Sequence, residues 1–190
     1  MQTRVVQITV PETGVYNITI GLANDRSAND VSDTLSVYNG NYSAEATPIY
    51  QITDTRYNTY RGSSNTHNYV SLTEGDKLTL YTGGGNLGAD YILLEKATAP
   101  ASAGAVSAPT TYDEFSDATV KSYTFDATPA LVGGAYQALT SVTVTVKVDG
   151  YDDKSLTKTA EDFGTISGPA TFAILIGGDV TPTDIIVAVD

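Results

Sequence analysis

The chain contains no cysteine and no tryptophan, and only one methionine and one histidine. Without cysteine it has no disulfide, no thiolate nucleophile and no cysteine-held zinc site. Cations are scarce too: ten Lys and Arg face 22 Asp and Glu, a formal net charge of −12 over 190 residues. The imbalance deepens along the chain, from six basic and ten acidic residues in 1–98 to four and twelve in 99–190. A surface of that sign repels phosphate backbones and anionic lipid, so neither nucleic acid nor bare membrane is expected as a partner. The same charge favours solubility. No run approaches the roughly 18 consecutive apolar residues of a membrane-crossing helix. Met1-Gln2-Thr3-Arg4 leads straight into the strand pattern Val5–Val10, without the apolar core of a secretion signal. The expectation is either a trimmed chain or one that leaves its cell by another route.

What the sequence does hold is β-structure. Hydrophobic residues make up 41% and charged residues 17%, enough apolar content for packed cores. The apolar content is mostly Val, Ile, Leu and Ala, with Thr and Tyr abundant, and such β-branched and aromatic residues suit pleated, half-buried surfaces. Val6, Ile8 and Val10 alternate with polar neighbours. Pro11-Glu12-Thr13-Gly14 supplies turn chemistry, and Tyr16, Ile18, Ile20 and Leu22 alternate again, which predicts a hairpin. Leu35 and Val37, with Tyr38, mark a further strand closed by Asn39-Gly40-Asn41. From Gly62 to Lys96 the pattern reads strand (Val70, Leu72), turn (Glu74-Gly75-Asp76), strand (Leu78, Leu80), glycine-rich loop (Gly83–Asn86) and closing strand (Tyr91–Leu94).

Ala23–Asp33 is a polar loop whose Asp25, Asp30 and Asp33 form a candidate calcium site, since hard cations take clustered carboxylate and amide oxygens. Its spacing fits no EF-hand and Arg26 sits within it, so a solvated surface loop is the alternative. Ala97–Thr111 is a run of Ala, Pro, Ser and Thr with little to bury, which predicts an interdomain linker. Beyond it, Tyr112–Phe115 is a candidate helical turn. Strands are expected at Lys121–Phe125, Val142–Val148, Ala170–Ile176 and Ile185–Val189, with Gly133-Gly134, Asp149-Gly150, Gly164, Gly168 and Gly177-Gly178 between them. The two halves show no self-similarity, which argues against a tandem repeat. The expected architecture is all-β: a sandwich over 1–97, a linker over 98–111, and a small immunoglobulin-like sandwich over 112–190.

Within residues 5–96 four segments follow one another in a telling order. They are Val10–Tyr16, Leu35–Gly40, Leu72–Leu78 and Asn86–Leu93. Together they resemble the strand–turn–strand opening, second strand and turn, hairpin and closing segment of carbohydrate-binding modules of the galactose-binding-like β-sandwich group, families 6 and 35. The resemblance implies a jelly-roll sandwich with a loop-end sugar cleft, where two aromatics hold a pyranose and an asparagine reads its hydroxyls. In this sequence those residues would be Tyr57, Tyr60 and Asn86. Aromatic faces suit C–H-rich sugar faces, and amides suit hydroxyls. Tyrosines rimming a sheet edge are the structural alternative.

Catalysis finds no constellation. His67 is the single histidine, and none of the nearby Ser63, Ser64 and Ser71 sits in a nucleophile elbow; it reads as an exposed loop residue. Asp152-Asp153 and Glu161-Asp162 lie in polar turns. Gly83-Gly84-Gly85-Asn86 lacks the Lys-Ser/Thr and helix of a phosphate cradle. The sequence thus predicts a non-catalytic contact protein, a phage virion component such as capsid decoration or a tail-associated protein. Its expected partners are other virion or surface proteins in an oligomer or lattice, and polysaccharide. A carbohydrate-binding module with a spacer, from a secreted bacterial polysaccharide-degrading enzyme, is the alternative. A subunit of a cell-surface filament or layer is a third.

Overall fold

The computed structural model describes residues 4–24, 33–54, 63–82, 87–112, 120–177 and 180–190. The chain divides into two compact units, Met1–Ala97 and Thr98–Asp190. Both are built from antiparallel sheets, and the fold class is all-β.

The first unit holds β1 (Arg4–Thr9), β2 (Gly14–Asn24), β3 (Asp33–Asn39), β4 (Tyr50–Asp54), β5 (Ser63–Leu72), β6 (Lys77–Thr82) and β7 (Leu87–Lys96). They form two sheets, β1-β6-β3-β4 and β5-β2-β7. Strand alternation sends Ile18, Ile20 and Leu22 of β2 to meet Leu35, Val37, Leu78 and Leu80 of the other sheet in one buried cluster. Full burial of each such side chain contributes about 1.5–3 kcal/mol over leaving it exposed.

β1, β2, β3 and β6 stand where the alternation puts them, but the connections differ from the expected hairpins. β1 pairs with β6 and β2 with β5 and β7, so Pro11–Gly14 carries the chain from one sheet to the other. The turn at Glu74–Asp76 does the same between β5 and β6. These two arches lie over each other and satisfy each other's backbone. The Val10 N–H donates to Asp76 O at 2.9 Å and the Gly75 N–H to Val10 O at 3.0 Å. The Glu74 N–H also reaches Thr13 Oγ1 at 3.0 Å. A hairpin and an arch demand the same alternation, one apolar face per strand. From Val10 to Gly14, four steps of about 3.3 Å reach far enough to cross the roughly 10 Å between stacked sheets. Only the distant partner strand decides between them.

The second unit holds β8 (Ser102–Ala103), β9 (Thr110–Thr111), β10 (Lys121–Thr128), β11 (Leu131–Val132), β12 (Ala135–Tyr136), β13 (Ser141–Lys147) and β14 (Lys154–Thr159). The short helix α1 (Ala160–Phe163), β15 (Ala170–Ile176) and β16 (Asp184–Val189) follow. One sheet runs β15-β10-β8 with β9 also on β10, another runs β14-β13-β16, and β11-β12 is a small hairpin. Phe125, Ala127, Leu139, Val142 and Val144 are buried between them, with Phe172, Ile174, Ile185 and Val187 packed against that cluster.

The expected linker over 98–111 is overturned, because it belongs to this unit. Ala99 and Leu131 exchange two backbone hydrogen bonds of 2.8 Å, the Gly104 N–H donates to Asp126 O, and the Ser107 N–H donates to Thr124 O, both at 2.7 Å. Its small side chains bury little, yet its peptide groups complete the open edge of β10. Composition reports side-chain burial and is silent on backbone pairing. The candidate helical turn at Tyr112–Phe115 falls largely outside the described residues.

Candidate ligand-binding face

The faces of β1, β6, β3 and β4 that turn away from the core carry an aromatic and amide cluster. The register sets it out in rows. Val5, Tyr81, Ser36 and Gln51 lie side by side across the four strands, and Gln7, Thr79 and Tyr38 form the next row. Because Leu35 and Val37 point inward, Ser36 and Tyr38 must point out. After Asn39 the chain turns at Gly40, whose φ of 102° is natural for glycine, and Tyr42 folds back over the sheet. Its ring stacks on Tyr81 with centroids 3.7 Å apart and planes 8° from parallel, and it meets Tyr38 edge-on at 5.4 Å.

The polar part of the face is fixed by its own hydrogen bonds. Gln7 Nε2 donates to Asn41 Oδ1 at 3.0 Å and to Thr79 Oγ1 at 3.1 Å. Thr79 Oγ1 in turn donates to Gly40 O at 2.5 Å. Gln51 Nε2 donates to Ser36 Oγ at 2.8 Å. Tyr38 and Thr79 are buried beneath, Tyr42 and Tyr81 half-buried, and Val5 is 54% exposed beside Tyr81. Hydrogen bonding to Tyr81, aided by lost hydration, raises the Tyr42 hydroxyl above its ordinary pKa of 10.0, so it stays neutral at physiological pH. This cluster of rings, amides and hydroxyls carries no formal charge, in a chain whose net charge is −12. Such a surface can stack on an apolar C–H face and exchange hydrogen bonds with hydroxyls.

Tyr57, Tyr60 and Asn86 fall outside the described residues, as do Asp25 and Asp30. Asp33 opens β3 opposite Asp54, and only its backbone is described. Among the described residues no group of three or more His, Asp or Glu is arranged to hold a metal ion. His67 corrects the reading of an exposed loop residue: it sits on β5, half-buried, with its ring stacked on Tyr50 at 4.5 Å. The run Asn65–Asn68 is polar and shows no apolar alternation, which hid the strand. Burial raises the Tyr50 hydroxyl's pKa, and the group finds no hydrogen-bond partner among the described residues.

The carboxylate pairs of the second unit serve local ties. Asp153 lies 3.8 Å from Lys147. Asp162 accepts the Thr159 N–H at 2.9 Å and pairs with Lys158. That backbone hydrogen bond is the main reason its pKa is lowered.

Comparison with protein-family models, with curated proteins and with solved structures returned no match.

Sequence reasoning passed over Gln7, Asn41, Tyr42 and Tyr81 as a group. Tyr38 alone carried a signal, as the outward-facing partner of an inward Val37. The rest are brought together by strand pairing across more than thirty positions of sequence.

Proposed function

We propose that this chain is a non-catalytic protein that works by contact. In this reading it is a phage virion component, either capsid decoration or tail-associated, which holds other virion proteins and adheres to neutral glycans. The observation that carries the adhesive part is the uncharged Tyr38/Tyr42/Tyr81 cluster, bordered by Gln7, Asn41 and Gln51 on an outer sheet face. Ring faces take up the apolar side of a sugar, while pre-positioned amides spare the ordering cost of binding its hydroxyls. An acidic, cysteine-free chain of two β-units suits a soluble particle exterior that needs no disulfides. The likeness of residues 5–96 to carbohydrate-binding modules of families 6 and 35 supports the same ligand class, with Tyr57, Tyr60 and Asn86 as a second candidate set.

Affinity electrophoresis through a panel of polysaccharides tests the adhesive part. Retardation of the wild type is expected to fall at least tenfold in Tyr42→Ala/Tyr81→Ala, with far-ultraviolet dichroism unchanged. Loss confined to Tyr57→Ala/Tyr60→Ala would move the site to those residues, and no retardation at all would remove glycan from the proposal. The virion part is tested by mass spectrometry of purified particles from a phage that encodes the chain. A parent reading frame with a catalytic domain would overturn it in favour of a secreted enzyme's binding module.

A further inference from the structure

The two main sheets of the second unit close on one long side, where β8 packs against β16. On the other side, among the described residues, β14 and β15 are both edge strands and the sheets part. Between them lies a largely apolar cleft of about 330 Å³, lined among others by Phe125, Leu156, Phe163, Phe172 and the ion pair of Lys158 with Asp162. Its aromatic floor is ordered: Phe125 and Phe172 stack at 5.8 Å, and Phe163 of α1 meets Phe172 edge-on at 5.6 Å.

The register of β14 shows which side chains border this cleft. Lys158, Leu156 and Lys154 stand opposite Val142, Val144 and Val146. Directly paired residues share a face, and Val142 and Val144 are buried, so the three β14 residues stand on the cleft side. The opposite face is occupied by hydroxyl pairs, Thr143 with Thr157 at 2.8 Å and Thr145 with Ser155 at 2.7 Å. Leu156 is nevertheless 59% exposed. Residues 98–190 contain only four lysines against twelve acids, and two of the four stand on this rim. Lysines on an edge strand often serve to prevent pairing. Here, however, they flank an exposed leucine above an open apolar cleft, which a strand that only repelled partners would have no reason to leave unfilled.

We infer that the free edge of β14 is a docking site for one extended segment of a partner protein. The segment's cleft-side residues would read acidic, apolar, acidic at alternate positions. Its peptide groups pair with the open edge of β14, its apolar residue sits opposite Leu156, and its carboxylates meet Lys154 and Lys158, the latter exchanging its intramolecular partner Asp162 for the segment's carboxylate. Peptide is favoured over a small amphiphilic anion because only a peptide satisfies a row of strand donors and acceptors in series. The inference stands independently of the glycan reading of the first unit.

The test uses the full chain, ¹⁵N-labelled, titrated with the peptide Thr-Glu-Thr-Val-Thr-Glu-Thr and with its counterpart carrying Lys at both Glu positions. The Glu peptide is expected to shift the β14 amides and to bind at least tenfold more tightly than the Lys peptide. In Lys154→Glu/Lys158→Glu the preference is expected to reverse. Both positions are exposed, and the comparison of peptides on the wild type stands even where the variant fails to fold. Equal binding of the two peptides, no shift in β14 at millimolar peptide, or saturation of the cleft by oleate without competition from the Glu peptide would each overturn the inference.

Discussion

At the scale of single residues, close approach and charge give the sharpest expectations. Gly21 stands opposite Tyr91, and a Cβ added there would lie 2.2 Å from the ring. Gly21→Ala must therefore swing out the half-exposed Tyr91 ring, at a cost on the order of 1 kcal/mol. Tyr91→Ala in the same chain is expected to relieve most of that cost, a non-additivity that a double-mutant cycle in urea will measure. Asp76 offers a test by pH. Its carboxylate accepts the Thr73 N–H at 2.9 Å and Asn39 Nδ2 at 3.1 Å, and these bonds lower its pKa below the ordinary 3.8. A lowered folded-state pKa gives stability that is present above the unfolded value and lost as pH falls through the folded one. The melting temperature of wild type is therefore expected to converge on that of Asp76→Asn as pH falls below about 4.

At the scale of elements, β2 and β14 stand at opposite ends. β2 is the centre of its sheet, and Ile18 and Ile20 are fully buried. Ile18→Ala is expected to cost about 2–5 kcal/mol, read as a fall in the urea midpoint without a change in slope. Among the described residues β14 pairs on one side only, and all six of its residues are exposed. Its amides are expected to exchange with deuterium well before those of β2. The same contrast explains what the sequence disclosed. Tyr16, Ile18, Ile20 and Leu22 announced β2 because each strand with one buried face must alternate. β14, Lys-Ser-Leu-Thr-Lys-Thr, gave no such sign, since lysines occupy two of its three cleft-side positions. The arches at Pro11–Gly14 and Glu74–Asp76 looked like hairpins for a related reason: turn chemistry fixes that the chain bends, while Val10 meeting Gly75 and Asp76 fixes which way. The stretch 98–111 shows the complementary failure, where β10 recruits a segment by its backbone alone.

At the scale of the whole molecule, each unit joins a packed core to a surface the core does not use. In the first that surface is the tyrosine–amide face, and in the second it is the cleft beside β14. The face was illegible from the sequence because Gln7, Tyr38, Asn41, Tyr42 and Tyr81 become neighbours only when β1, β3 and β6 pair. The proposed function puts a neutral glycan on this face. Its most direct test is an amide chemical-shift titration of the full chain with a polysaccharide fragment that retards it in electrophoresis. The largest shifts are expected on Gln7, Ser36, Asn41, Tyr42 and Tyr81, and they are expected to vanish in Tyr42→Ala/Tyr81→Ala. Shifts that spare these residues and cluster on another part of the chain would contradict the proposal.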